Sequence, residues 1–405
     1  MNLLLDPSFL AAGLAHFAVD LLNSQRPVLL AYLSVPLGLT NTLIGFISLF
    51  YTFSASLSQP LFGWLSDRLG ARWIAAGGLL WMACMFSLAV ISPGKAALVL
   101  LVLGALGSGA FHPAGTVEAA ETGRVHFAGR ETTAASIFFL CGQMGYAVGP
   151  ALGGPIVGGW GPKGLLVLAP FAVASAIFAA RRLTLTKPHR VEVAARKQGW
   201  MPTVGWRILL PFVLLTALRS WSQTNLSTFL PKYYSDAGFT PAAYGMLAAL
   251  FMGGSAVGGV AGAWLADRTS QRSVTVWSLL LGGVPLALYP WFGLTGWAPA
   301  LAFAAGALTG ATHSIVVVEA QRMLPGQMGV ASGLVLGFTF ASGSLGTVLS
   351  GIQADAVGFP TMFFTTAAIT ALAGIFGLAL RERPALAVTQ AAGAVALSDH
   401  ISSGD

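Results

Sequence analysis

The chain has 405 residues, 55% hydrophobic and 9% charged, with a net charge of +7 and a mean hydropathy of +0.75. A soluble domain carries about 25% charged residues, so this composition cannot cover a water-facing surface. The basic residues fall between long apolar runs and not on one patch, which excludes a nucleic-acid partner and leaves a polytopic membrane protein with the lipid bilayer around it.

A membrane-crossing helix needs roughly 20 apolar residues. The first such run, at 8–35, could pass for a signal peptide. Asp6 stands where a basic n-region would be and no A-x-A site follows, so it reads as helix one. Spans at 40–65, 72–91, 96–120, 132–157 and 164–180 complete a first set. A second set lies at 206–233, 240–266, 273–294, 298–320, 328–354 and 360–380, giving twelve predicted helices. Each must be helical because unpaired backbone groups are too costly in hydrocarbon. Cys84 and Cys141 fall inside spans and read as small buried hydrophobes. Trp64, Trp160, Trp206, Trp264 and Trp297 sit near span ends, as an interfacial belt requires.

Charge bias orients the chain. Arg68, Arg72, Arg181, Arg182, Arg268, Arg322 and most other basic residues share one side, against Lys95, Lys163 and Lys232 on the other. The crowded side is expected to be cytoplasmic, with both termini there, in the inner membrane of a bacterium. The expected organisation is a six-helix bundle over 1–181, a basic cytoplasmic linker at 182–205, a second bundle over 206–383 and a flexible cytoplasmic tail at 384–405.

The halves repeat each other. Asp67-Arg68 recurs as Asp267-Arg268, His112 and Glu118 recur as His313 and Glu319, and Asn23 recurs as Asn225. Several matches in one order imply two copies of one unit, as in transporters built from repeats.

The stretch Gly63–Arg72, with Asp67, Arg68 and Gly70, resembles the cytoplasmic loop motif of the major facilitator superfamily. Ala71 departs from it, and Ala263 and Ser270 make the second copy degenerate. The run from Gly142 through Gly145, Gly149 and Pro150 to Gly153 is similar to the span-five motif of its antiporter branches. Those glycines share a helix face and predict close packing of a neighbouring helix, with ordinary small-residue packing as the alternative to the motif. A narrower resemblance is to the fosmidomycin resistance family, on His16, Asp20 and Asn23, the Phe-His-Pro turn at His112, and the run Ala320–Gly326 leading to Gly333 and Gly337. The resemblance implies an all-α fold of twelve transmembrane helices in two pseudo-symmetric bundles. It also implies proton-coupled export of small molecules, including a phosphonate antibiotic. Span four lacks the membrane arginine that many drug/proton antiporters carry, so their coupling scheme cannot be copied across.

Ionisable side chains inside a membrane are expensive and mark candidate sites. His16 and Asp20 are four apart on span one and form the predicted proton-coupling pair; a static pair holding helices together is the alternative. Arg26 and Arg219, on the first helix of each half, suit an anionic substrate, with snorkelling to the interface as the other reading. Asn23, Ser222, Gln223, Asn225, His112 and His313 join them as expected substrate contacts, the histidines doubling as relay or structural groups. Glu118, Glu121, Glu319, Arg322, Asp67, Arg68, Arg72, Asp267 and Arg268 are expected to gate the cytoplasmic end. No cofactor is expected. No metal-spaced cluster, G-x-S-x-G turn or phosphate loop supports a membrane enzyme, and a non-transporting sensor would want a larger soluble domain. The reading is a monomeric exporter of small anionic or amphipathic compounds, with an importer or uniporter as its alternative.

Overall fold

The computed structural model describes residues 5–126, 131–183, 205–323 and 328–380. The linker over 184–204 and the tail lie outside the described residues. The first half comprises α1 (Pro7–Asn23), α2 (Gln25–Leu37), α3 (Asn41–Leu69), α4 (Ala71–Ile91), α5 (Ala96–His126), α6 (Glu131–Trp160) and, after a 3-10 turn at Pro162–Leu168, α7 (Ala169–Arg182). The second comprises α8 (Trp206–Asp236), α9 (Pro241–Arg268), α10 (Gln271–Phe292), α11 (Ala298–Gly310), α12 (His313–Met323) and α13 (Met328–Phe376). Predicted span one is α1 and α2, interrupted at Ser24, and span ten is α11 and α12, interrupted at Ala311–Thr312. Spans eleven and twelve run together as α13, which leaves helical geometry at Gly358 (φ 85°).

Among the described residues, seven helical stretches are long and apolar enough to cross a membrane by length and composition alone. The helices α3 and α8 fall outside that set although they run 29 and 31 residues. Ser, Thr, Asn and Gln are spread along both, and both pack across the boundary between the halves. The outer surface carries exposed Leu, Val, Phe and Trp, including all five expected belt tryptophans, as a lipid-facing surface requires.

The turn before the second helix is built identically in each half. Gly38 (φ 58°) and Gly238 (φ 81°) take the left-handed conformation that a Cβ penalises. Two residues on, the Thr40 and Thr240 hydroxyls cap α3 and α9 by accepting from Leu43 N and Ala243 N.

These turns lie at the end of the bundle remote from the first and last helical residues, and there the halves are joined. At this end α2 meets α8, α3 meets α13, and α6 meets α9. A Cβ on Gly154 would strike the Pro241 carbonyl, and one on Gly351 would come within 2.5 Å of the Asn41 carbonyl. Asp355 of α13 reaches across the boundary. Its carboxylate accepts from Asn41 N at 2.9 Å and Thr42 N at 2.7 Å, the first free amides of α3. Ser235 adds a bond to the Ala31 carbonyl at 3.3 Å. Away from this end, α5 packs on α1, α3, α4 and α6 of its own half, and α12 packs on α9 and α13 of its own.

Candidate functional site

Two polar clusters are buried, one in each half, and each lies beside an interruption of a helix. In the first half Asp20 is 5% exposed. His16 Nε2 is 3.2 Å from one carboxylate oxygen, and His112 Nε2, arriving from α5, is 3.7 Å from the other. The far nitrogens are anchored: His16 Nδ1 lies 2.7 Å from the Phe138 carbonyl, and His112 Nδ1 lies 2.8 Å from the Ser108 carbonyl. A carbonyl only accepts, so each Nδ1 carries a hydrogen, and in its neutral form each ring turns a bare Nε2 toward the carboxylate. Three acceptors then converge within 4.8 Å of one another. The arrangement is relieved by a proton between ring and carboxylate. The spacing along the sequence placed His16 with Asp20, but only the fold brings in His112.

Asn23 closes the cluster. Its Nδ2 donates to Asp20 Oδ1 at 2.9 Å and to Ser108 Oγ at 3.0 Å, while its Oδ1 accepts from the Tyr51 hydroxyl at 2.5 Å. The expected substrate contact Asn23 is therefore bound up with Asp20. Arg26, one turn further, is half-buried with its guanidinium 4.7 Å from the Tyr51 ring centroid. It does not snorkel out of the helix packing.

In the second half Arg219 is 2% exposed. Its Nε donates to Thr312 Oγ1 at 2.6 Å and its Nη2 lies 3.4 Å from His313 Nδ1. Thr312 belongs to the interruption between α11 and α12, and His313 opens α12 directly after it. Among the described residues no carboxylate pairs with this guanidinium. Gln223 lies alongside, donating to Ser255 Oγ at 3.0 Å and accepting from Thr309 Oγ1 at 2.7 Å. Gln223 and His313 are partly exposed, so the cluster is not sealed.

Two expected contacts turn elsewhere. Ser222 bonds Thr370 Oγ1 at 2.6 Å and Asn225 donates to Thr366 Oγ1 at 2.8 Å, both fully buried against the last part of α13. At about 100° per residue Ser222 stands about 60° and Asn225 about 120° round the helix from Arg219, far enough for both to turn to the last part of α13. Thr312, Tyr51 and Ser108 were missed: a hydroxyl in an apolar run carries no charge signal.

The glycine face of α6 packs on the first helix. A Cβ at Gly142 would strike His16, at Gly145 the Phe17 carbonyl, at Gly149 the Ser24 hydroxyl, and at Gly153 the Gln25 amide. The backbone approaches so closely that Gln25 Nε2 bonds the Gly149 carbonyl at 2.9 Å. Pro150 lies in the same stretch, its carbonyl against Gly245 of α9.

Of the gating set, Glu319 pairs with Arg322 at 3.2 Å, and Arg322 donates to Gln271 at 2.6 Å, all within the second half. Arg68 lies 3.9 Å from the Trp64 ring and Arg268 lies 3.9 Å from Trp264, a repeated cation–π pair. Arg72 sits over Trp73 at 4.9 Å. Glu118 is buried and Glu121 half-buried near the end of α5, and Asp267 is exposed. The Asp67 side chain lies outside the description.

A sequence profile of the Major Facilitator Superfamily matches residues 9–221 and again 212–399. The chain is 27% identical to the fosmidomycin resistance protein of Escherichia coli (strain K12), over 85% of this chain and 86% of that protein. It is 26% identical to the multidrug efflux pump Tap of Mycolicibacterium fortuitum, over 78% of each. The backbone superposes on the crystal structure of the nucleoside transporter NupG with a TM-score of 0.70 at 16% identity, covering 94% of this chain and 99% of that one. A twice-matching profile, a helical unit built twice and a lipid-facing exterior converge on one assignment: the chain belongs to the Major Facilitator Superfamily, as a multi-pass membrane transporter and not an enzyme.

Proposed function

We propose that the protein exports small anionic or amphipathic organic compounds, fosmidomycin-like phosphonates among them, in exchange for protons by alternating access. One observation carries this reading. One half buries an acid between two histidines, and the other buries a cation held by a hydroxyl and an imidazole. The first chemistry suits a proton. The second suits an anion, because a guanidinium without a carboxylate partner can grip phosphonate or carboxylate oxygens in pairs.

The membrane placement belongs to the same proposal: inner membrane, both termini cytoplasmic, a single chain working as two bundles over 1–181 and 206–383. In that orientation the Asp355 clasp and the α6–α9 contact would close the outer end, and the substrate path would open between α5 and α12 toward the cytoplasm. Efflux as the direction is supported by the names of the resistance and efflux relatives.

Reconstituted protein tests the function. In liposomes with an imposed pH gradient, the protein should drive fosmidomycin uphill against proton flow and lose that drive when the gradient is collapsed. Movement that follows the substrate gradient alone, whatever the pH difference, would make it a facilitator and overturn the proposal.

A further inference from the structure

The acid cluster of the first half has the spacing of a ligand set. His16 and Asp20 come from α1, one turn apart, and His112 comes from α5. His16 Nε2 is 3.2 Å from Asp20 Oδ2 and His112 Nε2 is 3.7 Å from Oδ1, with all three ligand atoms within 4.8 Å of one another. Zinc bonds imidazole nitrogen and carboxylate oxygen at about 2.0–2.2 Å, and tetrahedral angles then set neighbouring ligand atoms roughly 3.3–3.5 Å apart. The two imidazole–carboxylate separations bracket that spacing. Two such bonds span at most about 4.4 Å, so the widest pair needs to close by no more than a few tenths of an ångström. The His112 side chain is 25% exposed and has room for that movement.

The contacts behind these atoms are those that metal ligands need. A ligating histidine presents one nitrogen to the ion and donates the other N–H to a fixed acceptor, which sets its tautomer and its orientation. His16 Nδ1 meets the Phe138 carbonyl at 2.7 Å and His112 Nδ1 meets the Ser108 carbonyl at 2.8 Å, so both Nε2 atoms are left to ligate. Asn23 Nδ2 holds the carboxylate through Oδ1 at 2.9 Å, and each carboxylate oxygen has a second lone pair. The His16 ring is further fixed by stacking on Phe138, with centroids 4.0 Å apart. A Cβ on Gly142 would strike His16 Nε2 and Asp20 Oδ2, so any other residue there would cover the edge between these two atoms. His16 and Asp20 are closed in, whereas the partial exposure of His112 gives an entry path and a side on which water or an anion oxygen completes the coordination.

We propose that His16, Asp20 and His112 form a binding site for a divalent first-row transition metal, with zinc as the ion that fits it. Two imidazoles and one carboxylate suit such an ion, whereas magnesium and calcium ask for oxygen ligands throughout. With both rings neutral the set carries one negative charge, which a divalent cation compensates. The ligands lie on two helices, α1 and α5, so a bound ion also ties these helices together. An ion seated here uses the lone pairs that would otherwise take the proton, so zinc inhibits proton-driven export. That inhibition, though not the site itself, rests on the proton reading proposed above.

The test is zinc binding to the full-length, tag-free protein in detergent, read by titration calorimetry after treatment with a chelator. The wild-type protein should bind one zinc ion at this site and ignore magnesium at the same concentration. His112→Ala removes the more open ligand and should lower zinc affinity by at least on the order of 100-fold, since even the loss of an outer partner costs 10–100-fold. Asp20→Asn keeps the shape of the acid and removes its charge, and the same loss is expected, so the outcome does not hang on the folding of one variant. His189→Ala with His400→Ala, in the linker and tail, should bind zinc as the wild-type protein does. No zinc bound by the wild-type protein, wild-type affinity in either ligand variant, or binding lost with the linker and tail histidines overturns the inference. In liposomes, saturating zinc should abolish gradient-driven fosmidomycin transport. Zinc that binds as expected yet leaves that transport intact upholds the metal site and removes the proton from Asp20.

Discussion

Asp20 and Arg219 both lie on the first helix of their half and are both buried, 5% and 2% exposed, and each meets a histidine, but the charge each buries is opposite. The acid sits between two imidazoles and an amide. The cation sits against Thr312 and His313, with no carboxylate among the described residues. The contrast is sharpest in the histidines that occupy matching places in the repeat. His112 faces a carboxylate and His313 faces a guanidinium. The two halves share their helices and turns, down to the glycine–threonine cap of the second helix, while their buried charges stand at different places on the first helix and have opposite sign. A charge in hydrocarbon is too costly to keep without use, so opposite charges in equivalent frames point to two different jobs.

The comparison can be broken where it is strongest. Asp20→Asn should reduce gradient-driven transport on the order of 100-fold while leaving counterflow measurable, because only the half proposed to carry the proton is touched. Full coupling in that variant would erase the division of labour. Next in size is Arg219→Ala, expected to weaken fosmidomycin binding by about 1.5–3 kcal/mol, the worth of hydrogen bonds to a charged group. Leu218→Ala, beside it on another face, serves as the control, and equal losses in the two would remove Arg219 from the site. Both effects are read by equilibrium binding on purified protein.

Two smaller effects concern the frame. Gly145→Ala pushes a methyl into the Phe17 carbonyl and should cost about 1–3 kcal/mol of stability, seen as a lowered unfolding temperature in detergent. A neutral result would mean that α6 is looser on α1 than the contact implies. Asp355→Asn weakens the clasp on α3 and should shift the balance toward the outward-open form by about 0.5–2 kcal/mol. A cysteine placed at Val348, in a background without Cys84 and Cys141, should then react faster with an impermeant thiol reagent. No change in rate would show that the clasp does not hold that end shut.

The fold was legible because hydrocarbon forces helices and the repeat doubles every clue. Within the site, legibility stopped at one helix. His16 and Asp20 are four apart and had to meet. His112 reaches the same carboxylate from α5, and no spacing along the chain encodes that meeting. The repeat also misled: Asn23 belongs to the acid cluster, whereas its counterpart Asn225 bonds Thr366 and faces away from Arg219. Asp355 passed unnoticed as a lone acid at a span end, since its partners Asn41 and Thr42 lie in the other half and offer no charge to match it.

That last detail bears on how the transporter family can drift. Two of the clasp's hydrogen bonds come from main-chain amides, which any residue but proline supplies, and the Thr42 and Asn41 side chains add to them. Substitutions at 41 and 42 should therefore loosen this junction without abolishing it, whereas position 355 cannot vary so freely.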